Sequence, residues 1–422
     1  MFRHEDIFYM LWDESHLWGL MLWRALKDLQ IPARIIRSWE IRQGILSNQP
    51  PAGLLVPGGW ARLKADSLGL EGMSGIRDYI SAGGKYLGIC GGAGLGLSSA
   101  SGAPCLDLCG WSRKPMRDRL PNFSGHIRCK VRLPHWKESR RDILLPVWWP
   151  SQFEPGDNAS DGVKALAEYL EPHQDFWTAD LPYSDLKQAD IFKWEKVYGI
   201  NLNPELLHRE PCILHGTLGQ GEFVLSYSHL ETPQSRHANR LLRDILFTWL
   251  GWSVPREVKA RVSSWDLKNI APVWDDDVLM RCRHGLEEII DLGRTHFLFY
   301  WRTPWLLGWR RGVPGSPVNF LYAMAGHALG QSPRKETQHF WTGEKETFDH
   351  HLDSFFSRLK TYLTRERLAM SLAPSSPEAS SDLDLQQEKQ ELFGSFPGYG
   401  GLYGRLIQPL DHLLYLLESQ AD

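Results

Sequence analysis

The segment Gly84-Lys85-Tyr86-Leu87-Gly88-Ile89-Cys90-Gly91-Gly92-Ala93-Gly94 constrains this chain more than any other. A short apolar run stops at a cysteine set between glycines, and a small-residue stretch follows. That is the pattern of a strand, a tight turn and a helix start. Gly88-x-Cys90-x-Gly92 matches a nucleophile elbow with cysteine in place of serine. A nucleophile on such a turn sits in strained backbone, where bulky residues two positions to either side would collide. At the first turn of a helix, the dipole and the open N–H groups would favour the Cys90 thiolate. The same residues also describe a buried structural cysteine in a glycine-rich turn, since Gly and Cys are among the residues most often buried.

The residues before the elbow repeat one rhythm. Ile7–Trp12 reads as a strand, Leu17–Leu29 as a helix with Leu22, Leu26 and Leu29 on one face, and Ala33–Arg37 as a second strand. Gly53–Val56 is a third strand ending at Pro57-Gly58-Gly59. Gly75–Ala82 is helical, and Tyr86–Ile89 is the strand that feeds Cys90. Such alternation predicts a parallel sheet covered on both faces. Residues 101 to 160 break the rhythm, with strands expected at His126–Leu133 and Ile143–Trp149 and an ambiguous apolar stretch at Val163–Leu170. Ile213–Leu218 and Phe223–Ser228, separated by Gly219-Gln220-Gly221-Glu222, read as a hairpin, and a helix over about 234–250 follows.

Beyond residue 250 the pattern is mostly helical. Leu352, Phe355, Phe356 and Leu359 mark the clearest amphipathic helix, and Asp275-Asp276-Asp277 reads as a turn or helix cap rather than a metal loop. The expected division is a domain over 1–250, a helical region over 251–370, a mobile linker over 371–404 that includes a Ser/Pro/Asp/Glu/Gln-rich tract, and a helix over 405–422.

Composition narrows the partners. A net charge of −3 gives no reason to expect nucleic acid or an anionic membrane. The six cysteines are scattered without C-x-x-C pairs, so neither a disulfide framework nor a zinc site is indicated, and no metal or cofactor is expected. No apolar run reaches the roughly 18 residues of a membrane span. Charges from Arg3 to Glu14 argue against a secretory signal, so a cytoplasmic setting is expected.

His229-x-Glu231, at the end of the second hairpin strand, supplies what a thiol nucleophile needs: a base, and a carboxylate to orient it. Taken alone, the pair also describes polar residues at a helix start with Thr232 as cap.

Val56-Pro57-Gly58-Gly59, Gly88-Ile89-Cys90-Gly91-Gly92 and His229-Leu230-Glu231, in this order, resemble the class I glutamine amidotransferase fold. Within it, residues 5 to 250 are most similar to the amidotransferase-like domain at the N-terminus of eukaryotic-type biotin-protein ligases. The resemblance implies an α/β fold, a doubly wound, mostly parallel flavodoxin-like sheet with the site at the carboxyl ends of its strands, plus an α-helical C-terminal region. It implies Cys90 as nucleophile, His229 as base, Glu231 as orienter, and the N–H groups of Gly59 and Gly91 as an oxyanion hole. Gly58, Gly92, Glu14, Trp149 and Gln152 are expected to line the pocket, the last two from Trp148-Trp149-Pro150-Ser151-Gln152-Phe153.

Two departures shape the expected function. Glutamine-using members carry Gln four residues after the nucleophile, where this chain has Gly94, and the adenylate loop of a biotin ligase has no counterpart, so the chain is not itself expected to be a biotin ligase. The expectation is a cysteine-dependent amidase or amidotransferase-like hydrolase acting on an amide or related carbonyl compound. A peptidase of the gamma-glutamyl hydrolase sort is a narrower variant. The alternative is a catalytically silent binding or regulatory module of the same fold. The expected partners are a small-molecule substrate or ligand and, through the C-terminal helical region, a protein.

Overall fold

The computed structural model describes residues 6–99, 102–114, 122–132, 141–156, 162–253, 261–372, 383–395 and 398–419. The chain divides into two units. The first comprises Met1–Phe192 with Ile200–Ser264, and the second Lys193–Gly199 with Trp265–Asp422.

In the first unit, short runs buried on both faces (Phe8–Leu11, Gly53–Val56, Lys85–Ile89) alternate with helices His16–Asp28 and Ala61–Ser81. Continuous apolar strands of this kind suit the middle of a covered parallel sheet. They pair in the order Ala33–Ile36, Phe8–Leu11, Gly53–Val56, Lys85–Ile89, Gly221–Ser226, all in parallel. The protein is thus mixed α/β with a largely parallel central sheet. Its core includes Tyr9, Leu54, Val56, Tyr86, Ala93, Leu225 and Tyr227. The last strand is shared with the hairpin, where Pro211–Leu218 pairs antiparallel with Gly221–Ser226.

From that hairpin the 11-stranded sheet continues antiparallel through Lys164–Pro172, Phe123–Val131 and Arg141–Trp148. The largely parallel central sheet thus carries an antiparallel extension that the alternating pattern did not announce. The ambiguous stretch at Val163–Leu170 is a strand, and pairing on both edges decides it: an isolated apolar run has no such partners, but Lys164–Pro172 lies between two. The helix expected from Gly75 is the second half of a longer one, Ala61–Ser81, which is interrupted at Gly69 (φ 62°).

The second unit is built from helices Asp277–Thr295, Gly315–Leu329, Lys335–Leu372, Leu383–Phe393 and Gly401–Ser419, with a small hairpin of Phe299–Trp301 and Leu307–Trp309. Leu352, Phe355 and Leu359 are buried as the amphipathic spacing predicts, and Asp276 caps its helix by accepting from the Leu279 N–H at 2.9 Å. The expected linker over 371–404 is corrected in part. Leu383–Phe393 is a helix whose Leu385, Leu392 and Phe393 are buried, and Arg358 ion-pairs with its Glu388 at 2.8 Å. Apolar residues on one face give the polar tract a side to bury. Residues 373–382 lie outside the described residues.

Candidate active site

Cys90 follows strand Lys85–Ile89 directly and precedes the helical turn Gly91–Gly96. Its backbone has φ 52° and ψ −104°, a strained conformation for a residue with a side chain. Neighbouring bonds hold it there: its N–H donates to the Ser226 carbonyl at 2.7 Å, and its own carbonyl accepts from Gly94 at 2.9 Å. The glycines are required by close packing of backbone. A Cβ at Gly92 would stand 2.0 Å from the Val56 carbonyl oxygen, and one at Gly91 2.0 Å from that of Gly59. The elbow thus nests against the end of the adjacent strand Gly53–Val56. The thiol is partly exposed, whereas Cys109, Cys129, Cys212 and Cys282 are buried.

The loop after Gly221–Ser226 brings in the base. Because Ser226 pairs with Ile89 in register, the chain leaving that strand arrives beside Cys90. His229 Nδ1 donates to Glu231 Oε1 at 2.8 Å, and both side chains are wholly buried. Four hydrogen bonds fix the turn between them. The His229 N–H donates to the Pro146 carbonyl at 2.9 Å, Thr232 Oγ1 donates to the His229 carbonyl at 2.9 Å, and Asn239 Nδ2 donates to the carbonyls of Leu230 and Thr232.

Burial disfavours the charged imidazole, but the Glu231 carboxylate and the adjacent Cys90 thiol outweigh it, and the pKa of His229 is pushed up to about 10. Among the described residues, His229 Nε2 and Glu231 Oε2 are buried without a partner of ordinary hydrogen-bond geometry. The first of these is the nitrogen left over once Nδ1 is committed to Glu231. The Cys90 side chain lies close enough to raise the imidazole pKa through a side-chain hydrogen bond and through charge. A buried polar atom without a hydrogen-bond partner costs stability.

The other expected pocket residues divide. Gly59 has φ 114°, and the Glu14 carbonyl oxygen occupies the space a Cβ would need, at 2.2 Å. The Glu14 backbone, with φ 54°, is thus packed against the expected oxyanion loop. Gly58 lies where a Cβ would come 3.3 Å from His229 Cε1 and 2.9 Å from Trp18 Cγ. Gly91 opens the helical turn, so its N–H has no acceptor within that helix. Trp149, at φ 56°, meets Trp18 edge to face with ring centroids 6.3 Å apart. Gln152 does not join this group: its Nε2 donates to the Leu206 carbonyl at 2.7 Å, so its amide is occupied elsewhere.

Two residues at the site carry no motif. Trp18 lies against His229 with ring centroids 4.5 Å apart. Lys64 is fully buried behind the Gly59 loop, where its ammonium donates to the Asp13 carbonyl at 2.9 Å and to Ser15 Oγ at 2.6 Å. The Asp13 carboxylate in turn accepts from the Ser38 N–H at 2.7 Å. In the sequence both look like ordinary helix positions, and only tertiary packing turns them toward the loop.

No protein-family model matches the chain, and no curated protein matches it. Solved structures show loose likenesses. A GMP synthase-type protein from Thermoplasma acidophilum is 14% identical with a TM-score of 0.34, and the match covers 59% of this chain and 94% of that one. A glutamine amidotransferase from Methylobacillus flagellatus is 14% identical with a TM-score of 0.30, covering 62% and 83%. A β-galactosidase from Bacillus circulans sp. alkalophilus is 14% identical with a TM-score of 0.34, covering 59% of this chain and 32% of that one. Scores this low fix neither the fold nor an activity. No described helix is long and apolar enough to cross a membrane.

Proposed function

We propose that residues 5 to 250 carry a cysteine-dependent acyl-transfer site of the class I amidotransferase kind, acting on an amide or related carbonyl compound. One observation carries the reading: a cysteine in strained backbone lies beside a buried His229–Glu231 pair, close enough for its side chain to raise the imidazole pKa. In the proposed reaction Cys90 passes its proton to His229, Sγ bonds to the carbonyl carbon and the C–N bond breaks. His229 delivers the proton to the leaving amine, and water then releases the acyl group. A raised imidazole pKa suits this order, since the ring holds the proton the amine will need. The N–H groups of Gly59 and Gly91 are the proposed donors to the oxyanion, each such donor being worth about 2.7–4 kcal/mol of barrier. The sequence resemblance to the N-terminal domain of biotin-protein ligases supports the same roles, without the ligase reaction.

Activity-based profiling tests the proposal. Wild type and Cys90→Ala would be compared against a panel of electrophilic amide, thioester and gamma-glutamyl analogues. The expected result is labelling of wild type that vanishes in Cys90→Ala, and labelling that persists overturns the nucleophile. A second reading, a silent binding module, draws support from the Trp18 ring lying against a fully buried His229 and from Gly94 in place of the usual Gln. Reversible ligand binding with no covalent adduct on any analogue would favour it.

A further inference from the structure

On the antiparallel side of the first unit, three residues far apart in sequence form a second relay. His126, on strand Phe123–Val131, directs Nδ1 to Asp175 Oδ2 at 2.7 Å and Nε2 to Ser235 Oγ at 3.0 Å. The Asp175 loop is held firmly. Its Oδ1 accepts from the His126 N–H at 3.2 Å and lies 3.3 Å from His173 Nδ1, and the His173 N–H donates to the His126 carbonyl at 2.9 Å. Gly125, at φ 124°, permits this approach, since a Cβ there would stand 2.6 Å from the Asp175 carbonyl oxygen.

Ser235 occupies the N-cap position of helix Arg236–Trp249, yet its hydroxyl makes no capping bond. Serine is strongly preferred at that position because its oxygen satisfies an open helix N–H, a contact worth about 1 kcal/mol. Here the oxygen is turned to the imidazole instead. The N–H groups of Arg236 and His237 open a 14-residue helix and have no acceptor within it. Arg236 and Arg240, both exposed, carry positive charge on the first two turns of the same helix, with Arg240 3.7 Å from Asp244.

We propose that Ser235, His126 and Asp175 form a second nucleophilic site, separate from Cys90, that accepts short-chain acyl esters with an anionic leaving alcohol. Ser235 Oγ bonds to the acyl carbon while its proton passes to His126 Nε2. The ester C–O bond breaks, His126 returns the proton to the departing alkoxide, and water hydrolyses the acyl-serine. Asp175 orients and stabilises the imidazolium, and the Arg236 and His237 N–H groups receive the oxyanion. The 4% exposure of Ser235 restricts the acyl group to a slim one, while the half-exposed Asp175 leaves the relay open at its other end.

The experiment uses full-length Cys90→Ala protein, so that no adduct can arise at the first site, and methanesulfonyl fluoride as a small probe. Attack forms the Oγ–S bond, expels fluoride and sends the proton to His126. Peptide mapping is expected to place the adduct on Ser235. The adduct should disappear in Ser235→Ala, form at least about 100-fold more slowly in His126→Gln, and form about 10-fold more slowly in Asp175→Asn. The same protein should hydrolyse 4-carboxyphenyl acetate faster than phenyl acetate. Absence of an adduct on Ser235 in folded protein overturns the proposal. So does an adduct whose rate ignores His126→Gln, which would leave the relay as a support for the loop. Equal rates on the two esters overturn the anionic preference. None of these results bears on Cys90.

Discussion

Two histidines in this protein lie against carboxylates almost out of reach of solvent. In the first unit His229 meets Glu231 at 2.8 Å, and in the second His327 meets Glu418 at 2.6 Å. By distance and burial the pairs are near equals, and their surroundings separate them. His229 leaves a strand end beside a cysteine in strained backbone whose side chain acts on the ring. His327 stands in the last turn of helix Gly315–Leu329, and Glu418 ties it to helix Gly401–Ser419. A histidine–carboxylate bond is therefore no signature of chemistry. What the other nitrogen faces decides the matter.

The sharpest way to break this contrast is to replace both histidines by glutamine and measure Cys90 labelling by an electrophile. His229→Gln should slow labelling by about 100- to 10,000-fold, the usual worth of a positioned acid–base group. His327→Gln should leave it within about two-fold. Similar losses in both variants would mean that the His229 pair is structural too.

Stability should invert that order. Removing one partner of a buried hydrogen bond leaves the other unsatisfied, at a cost of about 1–3 kcal/mol. Glu418→Ala should therefore lower the midpoint of chemical denaturation strongly while Cys90 labelling of the folded fraction persists. A midpoint shift of less than about 1 kcal/mol would show that the two helices do not depend on this contact.

Much of the geometry of the candidate site was legible in the sequence because its parts are local. Gly88-x-Cys90-x-Gly92 encodes a turn whose neighbours forbid a Cβ, and His229-x-Glu231 encodes two side chains that meet two residues apart. The parallel strands were legible too, since runs buried on both faces are apolar throughout. What depends on distant contacts was not. Trp18 and Lys64 reach the site from helices through packing, and no spacing announces them. The antiparallel strand Lys164–Pro172 is defined by partners on both sides, and helix Leu383–Phe393 by the surface that buries its few apolar residues. The relay of His126, Asp175 and Ser235 spans more than 100 residues and has no motif.

A smaller effect concerns the pH dependence of the His229 pair. The folded pKa of His229 lies above the unfolded value of about 6.5. The proton is thus bound more tightly in the folded state, and the stability it contributes is fully present below pH 6.5 and lost as pH rises through about 10. Wild type should lose thermal stability across that interval, and His229→Gln should lose less. Parallel curves would mean that Glu231 and Cys90 do not hold the imidazole charged.

The smallest expected effect concerns Gln152, whose place beside Trp149 suggests a pocket amide. Its Nε2 is instead bonded to the Leu206 carbonyl, so it serves the loop rather than a ligand. Gln152→Ala should cost about 1 kcal/mol, the net worth of one hydrogen bond, and should leave the rate of Cys90 labelling within about two-fold. Trp149→Ala makes the informative partner, because Trp149 touches the Trp18 ring that lies against His229. It should change the labelling rate more than Gln152→Ala does. If Gln152→Ala has the larger kinetic effect, the amide must leave Leu206 when a ligand arrives, and the site extends further along this loop than the resting geometry places it.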